Sequence, residues 1–242
     1  MVMPLWDDSP LKLPRLPVVT WGLIAANTLV FLVEAGAPQD AQSSIAAYAL
    51  VPAAITGHAA SAVSPYATLL TYMFLHGSFL HLFGNMIFLA IFGDDVEIAM
   101  GPLRFLFFYL ACGALAGLMF AGVTPQSPTP LVGASGAIAG VLAAYLMYRP
   151  CQKVAVFIPW IILWLFIRPV VRIDAIWVLG SWILMQLWAI SAQSQDGVAY
   201  VAHLGGLLAG AVLFPLLRRR GVRLFECIRE APNGPWGPAP LL

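Results

Sequence analysis

Residues 198–217 read VAYVAHLGGLLAGAVLFPLL. The run is apolar and long enough for a membrane-spanning helix, which needs about 20 residues. His203 lies near its start, and Gly206 and Gly210 follow at i+3 and i+7, on the same helical face. A glycine face lets a second helix approach closely in lipid. This stretch therefore predicts a spanning helix that carries a histidine beside a close helix–helix contact.

The whole chain has the composition of a membrane protein. Of its 242 residues, 61% are hydrophobic and 10% are charged, against about 45–50% and about 25% in soluble domains. A soluble protein of this composition could not cover its core with polar surface, so we expect lipid as its solvent. The net charge of +1 is uninformative about partners.

Apolar segments predict an all-α, multi-pass membrane protein with six transmembrane helices. The predicted helices are about 18–33, 79–98, 103–121, 133–148, 175–191 and 198–217. Segment 154–167 is apolar but short for a span, and three readings stay open: re-entrant, interfacial or part of a span. We expect an N-terminal segment at 1–16, a six-helix domain at 17–217 and a tail at 218–242. The tail is basic and then rich in proline and glycine, so we expect it to be disordered.

The basic residues predict the orientation of the helices. With six helices, all twelve Lys and Arg residues fall on one side of the membrane. They lie in the N-terminal segment, the loop between the second and third helices, the loop between the fourth and fifth, and the tail. The positive-inside rule then places both termini in the cytoplasm. A seventh helix would send the basic tail outside, which the rule disfavours.

This topology brings four polar side chains to one face of the membrane. The second, fourth and sixth helices all run inward, so their N-terminal ends lie on the outer face. His81 and Asn85, Ser135, and His203 lie near these three ends. Polar side chains in spanning segments are costly and usually face a bundle interior or a wet cavity. The sequence thus predicts a polar site near the outer surface.

Ser135 lies in the tetrapeptide Gly133-Ala134-Ser135-Gly136, whose small residues would let a peptide backbone approach. A serine hydroxyl is a weak nucleophile that needs an adjacent base, and His203 is the natural candidate. The GxxxG pairs Gly136–Gly140 and Gly206–Gly210 would bring their helices close enough for a Ser135–His203 hydrogen bond. The free N–H groups at the helix start would face a developing oxyanion.

His81 and Asn85 are four residues apart and share a helical face. Their side chains could donate to the oxyanion of a tetrahedral intermediate. Each of these motifs also has a structural reading, because glycine, serine and histidine occur in membrane helices without chemistry. His81 and Asn85 could simply bond neighbouring helices. Convergence on one membrane face favours the functional reading.

These motifs together resemble those of the rhomboid intramembrane serine proteases. The resemblance rests on HGSFLHLFGN at 76–85, GASG at 133–136, Ala202-His203 with its glycines, and Gly93, Glu97, Gly101, Arg104 and Phe105. It implies a catalytic dyad without an acid, in which Ser135 is the nucleophile and His203 the general base. It also implies that His81, Asn85 and the Ser135 backbone N–H hold the oxyanion, and that Gly133 keeps the site open.

The chain departs from the family in two places. Pro65-Tyr66-Ala67-Thr68 stands where some members carry a Trp-Arg pair, and segment 154–167 is longer than the corresponding loop of the simplest members. Neither departure touches the predicted catalytic positions. We interpret Glu97 and Arg104 as structural, forming an ion pair or a cap at the turn between the second and third helices.

The predicted function is therefore an intramembrane serine endopeptidase that cleaves transmembrane helices near the outer face. The alternatives are a catalytically inactive relative that binds or sorts transmembrane clients, and a transporter or channel. The last is disfavoured, because the helices show no inverted repeat and no acid at mid-membrane depth. We expect transmembrane substrates and lipid as partners, and no nucleic acid, metal or cofactor. We also expect a bacterial inner membrane location.

The three cysteines, Cys112, Cys151 and Cys227, form no CxxC pair. An odd and scattered set argues against a disulfide framework and against a zinc site. We therefore expect free thiols.

Overall fold

The computed structural model of the chain describes residues 3–7, 16–38, 42, 45–158, 168–192, 194 and 198–227. Within these residues the fold is mostly helical. The longer helices are α1 (Val18–Gly36), α4 (Phe79–Met100), α5 (Pro102–Val123), α6 (Ser135–Tyr148), α7 (Ala175–Ser191) and α8 (Tyr200–Leu217). Two short helices, α2 (Pro52–Ile55) and α3 (Pro65–Thr71), and a 3₁₀ turn (Tyr72–Phe74) lie between α1 and α4.

Four of these helices are long and apolar enough to cross a membrane, namely α1, α4, α5 and α8. The helices α6 and α7 are apolar but shorter. The chain is therefore an integral, multi-pass membrane protein, as its composition predicts. The count of six spans and their orientation stay predictions.

A three-stranded antiparallel sheet was missed by the all-α prediction. It consists of β1 (Met3–Asp7), β2 (Lys153–Phe157) and β3 (Val170–Asp174), in the order β1-β2-β3. Val154 pairs with Asp7 on one side and with Ile173 on the other. Short apolar runs rich in valine cannot be assigned to helix or strand by periodicity alone. The start of segment 154–167 is thus a buried strand, and residues 159–167 lie outside the described residues.

Segments far apart in the sequence meet at the end of the helix bundle where the sheet lies. The N-terminal strand β1 pairs with β2, which follows α6. The backbone N–H of Arg219, after α8, donates to the carbonyl of Ala99 in the last turn of α4 at 2.9 Å. The N–H of Phe225 donates to Met147 of α6 at 2.7 Å. Residues 218–227 therefore pack on the helix ends. Residues 228–242, where we predict disorder, lie outside the described residues.

The expectation that all cysteines are free thiols is wrong for two of them. Cys151 and Cys227 form a disulfide across 76 residues of sequence, with a Cα–Cα distance of 5.1 Å. Cys112 is a buried free thiol. The pairing follows from the return of the chain after α8 to the end of α6, and no local spacing of cysteines encodes that return.

Glu97 caps the N-terminus of α1 from the last turn of α4. Its carboxylate accepts hydrogen bonds from the backbone N–H groups of Val19 at 3.0 Å and Thr20 at 2.7 Å. It also accepts from the Thr20 hydroxyl at 2.8 Å. A carboxylate at a helix N-terminus satisfies free donors and complements the helix dipole. Arg104 instead donates to the carbonyl of Leu217 at the end of α8, at 3.5 Å.

The helices α6 and α8 touch backbone to backbone through glycines. A Cβ atom built on Gly206 would overlap the carbonyl oxygen of Gly136, and one on Gly210 would overlap that of Gly140. Only glycine allows this approach, because any side chain at these positions would push the helices apart.

We expect Gly206→Ala to destabilise the fold, because its new methyl group meets backbone that cannot move aside. Overpacking of this kind costs about 1–3 kcal/mol of unfolding free energy. Gly180→Ala is the matched control, since Gly180 of α7 has open space around its Cβ position. Thermal or denaturant unfolding in detergent measures both, and a Gly206→Ala variant as stable as Gly180→Ala would contradict the close contact.

Candidate active site

Ser135 is the first residue of α6, directly after a glycine turn. Gly133 has φ of 115°, in the left-handed region that favours glycine. A Cβ at Gly133 would also lie only 2.6 Å from Cε1 of the His81 ring. The first N–H groups of a helix have no acceptor within the helix. The start of α6 therefore offers backbone donors beside the Ser135 side chain. Because Gly133 has no side chain, the space next to these donors stays open.

His203 lies in the first turns of α8 and is 8% exposed. Its Nε2 atom is 2.8 Å from the Oγ of Ser135, an ordinary hydrogen-bond distance. The backbone contact between α6 and α8 brings the two side chains this close. If Nε2 carries no proton, the Ser135 hydroxyl donates to it, which is the arrangement of a nucleophile and its base.

The second ring nitrogen of His203 also has a partner. Its Nδ1 lies 2.8 Å from Oε1 of Gln186, a residue of α7 that is 2% exposed. Rings of Trp182 and Tyr200 lie near the imidazole, with centroid distances of 5.8 and 6.4 Å. The His203 ring is thus held by groups from three helices.

His81 and Asn85 lie in the first turns of α4, on the face towards Ser135. The helix begins where Ser78 Oγ accepts a hydrogen bond from the His81 backbone N–H at 3.1 Å. The amide Nδ2 of Asn85 lies 3.0 Å from Nε2 of His76. His81 is half-buried and Asn85 is buried. The tetrapeptide turn at Gly133 lies against both side chains.

His76 precedes α4 and is 3% exposed. Burial, and to a smaller extent the neighbouring His81, lowers the pKa of His76 to about 4. The His76 ring is therefore neutral at pH 7, and its Nε2 can accept a hydrogen bond from the Asn85 amide. This contact fixes the orientation of Asn85.

Ser135, His203, His81 and Asn85 all line one cavity of about 880 Å³. The loop before α6, including Leu131, forms one wall, and Trp182 of α7 lies on another. The cavity lies within the size range of ligand-binding clefts. It combines apolar walls with a few polar groups, which suits a peptide segment that carries hydrophobic side chains.

The structure brings together every residue that we predicted for this site. Gly133 borders the cavity beside His81, and Gly136, Gly140, Gly206 and Gly210 form the contact between α6 and α8. Within the described part of the chain, no group of three His, Cys, Asp or Glu side chains is placed to hold a metal ion.

Sequence reasoning missed two residues that contact the site, Gln186 and His76. Gln186 is the only amide side chain in the apolar run of α7, and polar residues in such runs usually face a bundle interior. The sequence therefore indicates that Gln186 faces the interior, but it does not identify His203 as its partner. His76 lies in the quoted motif, yet its contact with Asn85 depends on a turn before α4 that spacing does not reveal.

Comparisons with known proteins place these motifs in a family. The profile described as the Rhomboid domain matches residues 63–220. The RHOMBOID-like protein 12, mitochondrial, of Arabidopsis thaliana is 28% identical over 169 residues, covering 63% of this chain and 46% of that protein. The Rhomboid-like protein 11, chloroplastic, of Arabidopsis thaliana is 30% identical over 162 residues, covering 62% and 51%. The Rhomboid protein 1, mitochondrial, of Saccharomyces cerevisiae is 30% identical over 151 residues, covering 57% and 38%.

The chain belongs to the rhomboid family, because the profile covers more than half of its length. The predicted resemblance is thereby confirmed. The chain spans about half the length, or less, of these curated relatives. Their names refer to mitochondria and chloroplasts, so they lend no support to the predicted bacterial inner membrane.

Proposed function

We propose that the chain is an intramembrane serine endopeptidase that cuts transmembrane segments of other membrane proteins near the outer membrane face. The observation that carries this proposal is the 2.8 Å distance between Ser135 Oγ and His203 Nε2. This pair lines a cavity together with His81 and Asn85. A serine–histidine pair among apolar helices is costly to bury, and acyl transfer is the chemistry that gives both groups a role.

The proposed reaction begins when Ser135 Oγ attacks the carbonyl carbon of the scissile peptide bond. His203 Nε2 takes the hydroxyl proton, and the carbonyl oxygen becomes an oxyanion. His81, Asn85 and the backbone N–H of Ser135 donate to that oxygen. The C–N bond then breaks, the departing nitrogen takes the proton from His203, and an acyl-enzyme ester remains. Water attacks the ester, loses a proton to His203 and releases the acid, while Ser135 Oγ regains its proton.

A substrate helix must unwind locally before this reaction, because its carbonyls are bonded within the helix. Glycine, proline or polar residues near the cut lower that cost, since they weaken helical structure. The substrate class that we propose is therefore a transmembrane segment with such residues near its outer end. The peptidase unit is proposed as residues 17–217, flanked by the N-terminal segment 1–16 and the tail 218–242.

We further propose six membrane crossings with both termini in the cytoplasm. The helix α6 has 14 residues, which at about 1.5 Å per residue is short of a bilayer core. Most of α6 is enclosed by other helices, so it needs no full lipid-facing length. The contacts of β1, β2 and residues 218–227 at one end of the bundle support a common side for the basic segments.

On this topology the bond between Cys151 and Cys227 lies on the cytoplasmic side. Disulfides are rare there, because glutathione and thioredoxin keep most thiols reduced. We expect the bond to be open in a reducing cytoplasm, with the segment after α8 then held by its backbone contacts to α4 and α6.

We expect Ser135→Ala and His203→Ala each to abolish cleavage of a transmembrane substrate, because each removes one half of the proton transfer. The measurement is the cleavage rate in proteoliposomes, with mass spectrometry of the cut site. Ser181→Ala is the control, since Ser181 on α7 is exposed and its hydroxyl donates to the carbonyl of Val178 within the same helix. Stable variants that cleave at the wild-type rate would rule out the dyad.

A fluorophosphonate probe separates the peptidase from the inactive, client-binding alternative. We expect the wild type to be labelled at Ser135, whereas His203→Ala is not. An absence of labelling in both detergent and bilayer would favour the client-binding protein.

Asn85→Ala should lower kcat about 100- to 1,000-fold with little change in KM, because one oxyanion donor contributes about 2.7–4 kcal/mol in a soluble serine protease. Steady-state kinetics on one substrate measure the effect. Asn27→Ala is the control for loss of a buried amide outside the cavity, since the Asn27 amide donates to Leu23 within α1. Equal losses for both variants would point to a stability effect.

Single cysteines test the topology in a chain whose native cysteines are replaced by serine. Ser61→Cys lies in the exposed loop between α1 and α4, and Arg220→Cys lies just after α8. A membrane-impermeant maleimide should label position 61 in intact cells, but position 220 only after the cells are opened. Labelling of both positions in intact cells would contradict the six-helix topology.

A further inference from the structure

The His203 ring is held by hydrogen bonds at both of its nitrogens. On the side away from Ser135, Nδ1 lies 2.8 Å from Oε1 of Gln186. Gln186 is 2% exposed and belongs to α7, whereas Ser135 and His203 belong to α6 and α8. Three helices therefore contribute to one hydrogen-bonded line of side chains that ends at the nucleophile.

We propose that Gln186 is a positioning residue for the general base, and that its carbonyl oxygen holds His203 in the tautomer and orientation needed for catalysis. This inference rests on the proposed peptidase function. It adds a third member to a pair that sequence motifs describe as two residues.

The chemical reason lies in the single proton of a neutral imidazole. That proton can sit on Nδ1 or on Nε2, and a base that faces Ser135 must keep Nε2 free. The hydrogen bond made by one ring nitrogen decides which nitrogen is protonated. An amide oxygen beside Nδ1 accepts from Nδ1–H, so it selects the tautomer whose Nε2 can receive the serine proton.

Gln186 also remains a good partner after the proton has moved. The imidazolium carries a proton on each nitrogen, and the Gln186 oxygen still accepts from Nδ1–H. Hydrogen bonds strengthen when the donor becomes charged. A neutral amide does this without placing a second charge in a site enclosed by apolar helices, where an unpaired carboxylate would be expensive.

Among the residues that the structure describes, the aromatic and titratable side chains near the imidazole do not offer this acceptor. Trp182 of α7 and Tyr200 of α8 approach with their aromatic rings. His81 of α4 is a second titratable imidazole that lines the same cavity. None of these side chains is a carboxylate or an amide.

The experiment compares three variants of the full chain in proteoliposomes. Gln186→Met keeps a similar length but removes the acceptor, and Gln186→Glu keeps an acceptor and adds charge. Leu187→Met is the matched control, since Leu187 is the next residue of α7 and is 43% exposed. Each is measured for kcat, KM, the dependence of kcat/KM on pH, and thermal stability.

We expect Gln186→Met to lower kcat about 10- to 100-fold, the effect of losing a hydrogen bond to a group that becomes charged, with KM little changed. Gln186→Glu should retain cleavage and move the acidic limb of the kcat/KM profile to higher pH, because a carboxylate stabilises the imidazolium. Leu187→Met should match the wild type. A purely structural amide would lower stability and leave the pH profile in place.

Nitrogen NMR of a chain with ¹⁵N-labelled histidine gives a readout that needs no activity. The His203 signals, assigned with His203→Ala, should show Nδ1 protonated and Nε2 unprotonated in the wild type, and a mixture in Gln186→Met. A protonated Nε2 in the wild type, or wild-type kcat in a folded Gln186→Met, would overturn the proposal. If Gln186→Met does not fold, Gln186→Glu and the wild-type spectrum decide. A wild type that neither cleaves nor labels refutes the peptidase function, while the spectrum still tests the tautomer.

Discussion

The backbone contact between α6 and α8 determines the position of the groups in the candidate site. In lipid there is no hydrophobic force to press two apolar helices together, so close packing and polar contacts must hold them. Gly206 meets the carbonyl of Gly136, and Gly210 meets that of Gly140 one turn further along. Ser135 lies one residue before Gly136, and His203 lies three residues before Gly206. A separation larger by one methyl group would take Oγ and Nε2 out of hydrogen-bond range.

The opposite end of the bundle is held by polar and strand contacts rather than by glycines. Glu97 joins α4 to the start of α1 through three hydrogen bonds. The sheet joins β1 to the segment after α6, and Asp7 of β1 accepts from the hydroxyl of the buried Tyr145 at 2.7 Å. These contacts connect the N-terminal strand and the segment after α6 to the helices, whereas backbone hydrogen bonds such as that from Gly133 N–H to the Tyr72 carbonyl, at 2.9 Å, hold the loop at the Ser135 end.

Several polar side chains of the site bond to one another, which suits an apolar environment. Ser135 bonds to His203, His203 to Gln186, and Asn85 to His76. Buried polar groups without partners cost free energy, and partners that are fully satisfied restrict the ring and amide orientations. The same bonds that lower the cost of burial therefore also orient the groups that we propose to act on a substrate.

From the sequence alone we could predict the membrane environment, the approximate bounds of the long helices and the four side chains that the structure brings to one cavity. These depend on local features: runs of apolar residues, glycine spacing along one helix, and the placement of charges between runs. Long-range packing produces the sheet, the link between Cys151 and Cys227, the cap made by Glu97, and the contact of Gln186 with His203. Each of these joins residues far apart in the chain, and each depends on how a helix or strand is rotated about its own axis. A side chain on α7 has the same sequence context whether it faces lipid or His203, so only packing could assign Gln186 its partner.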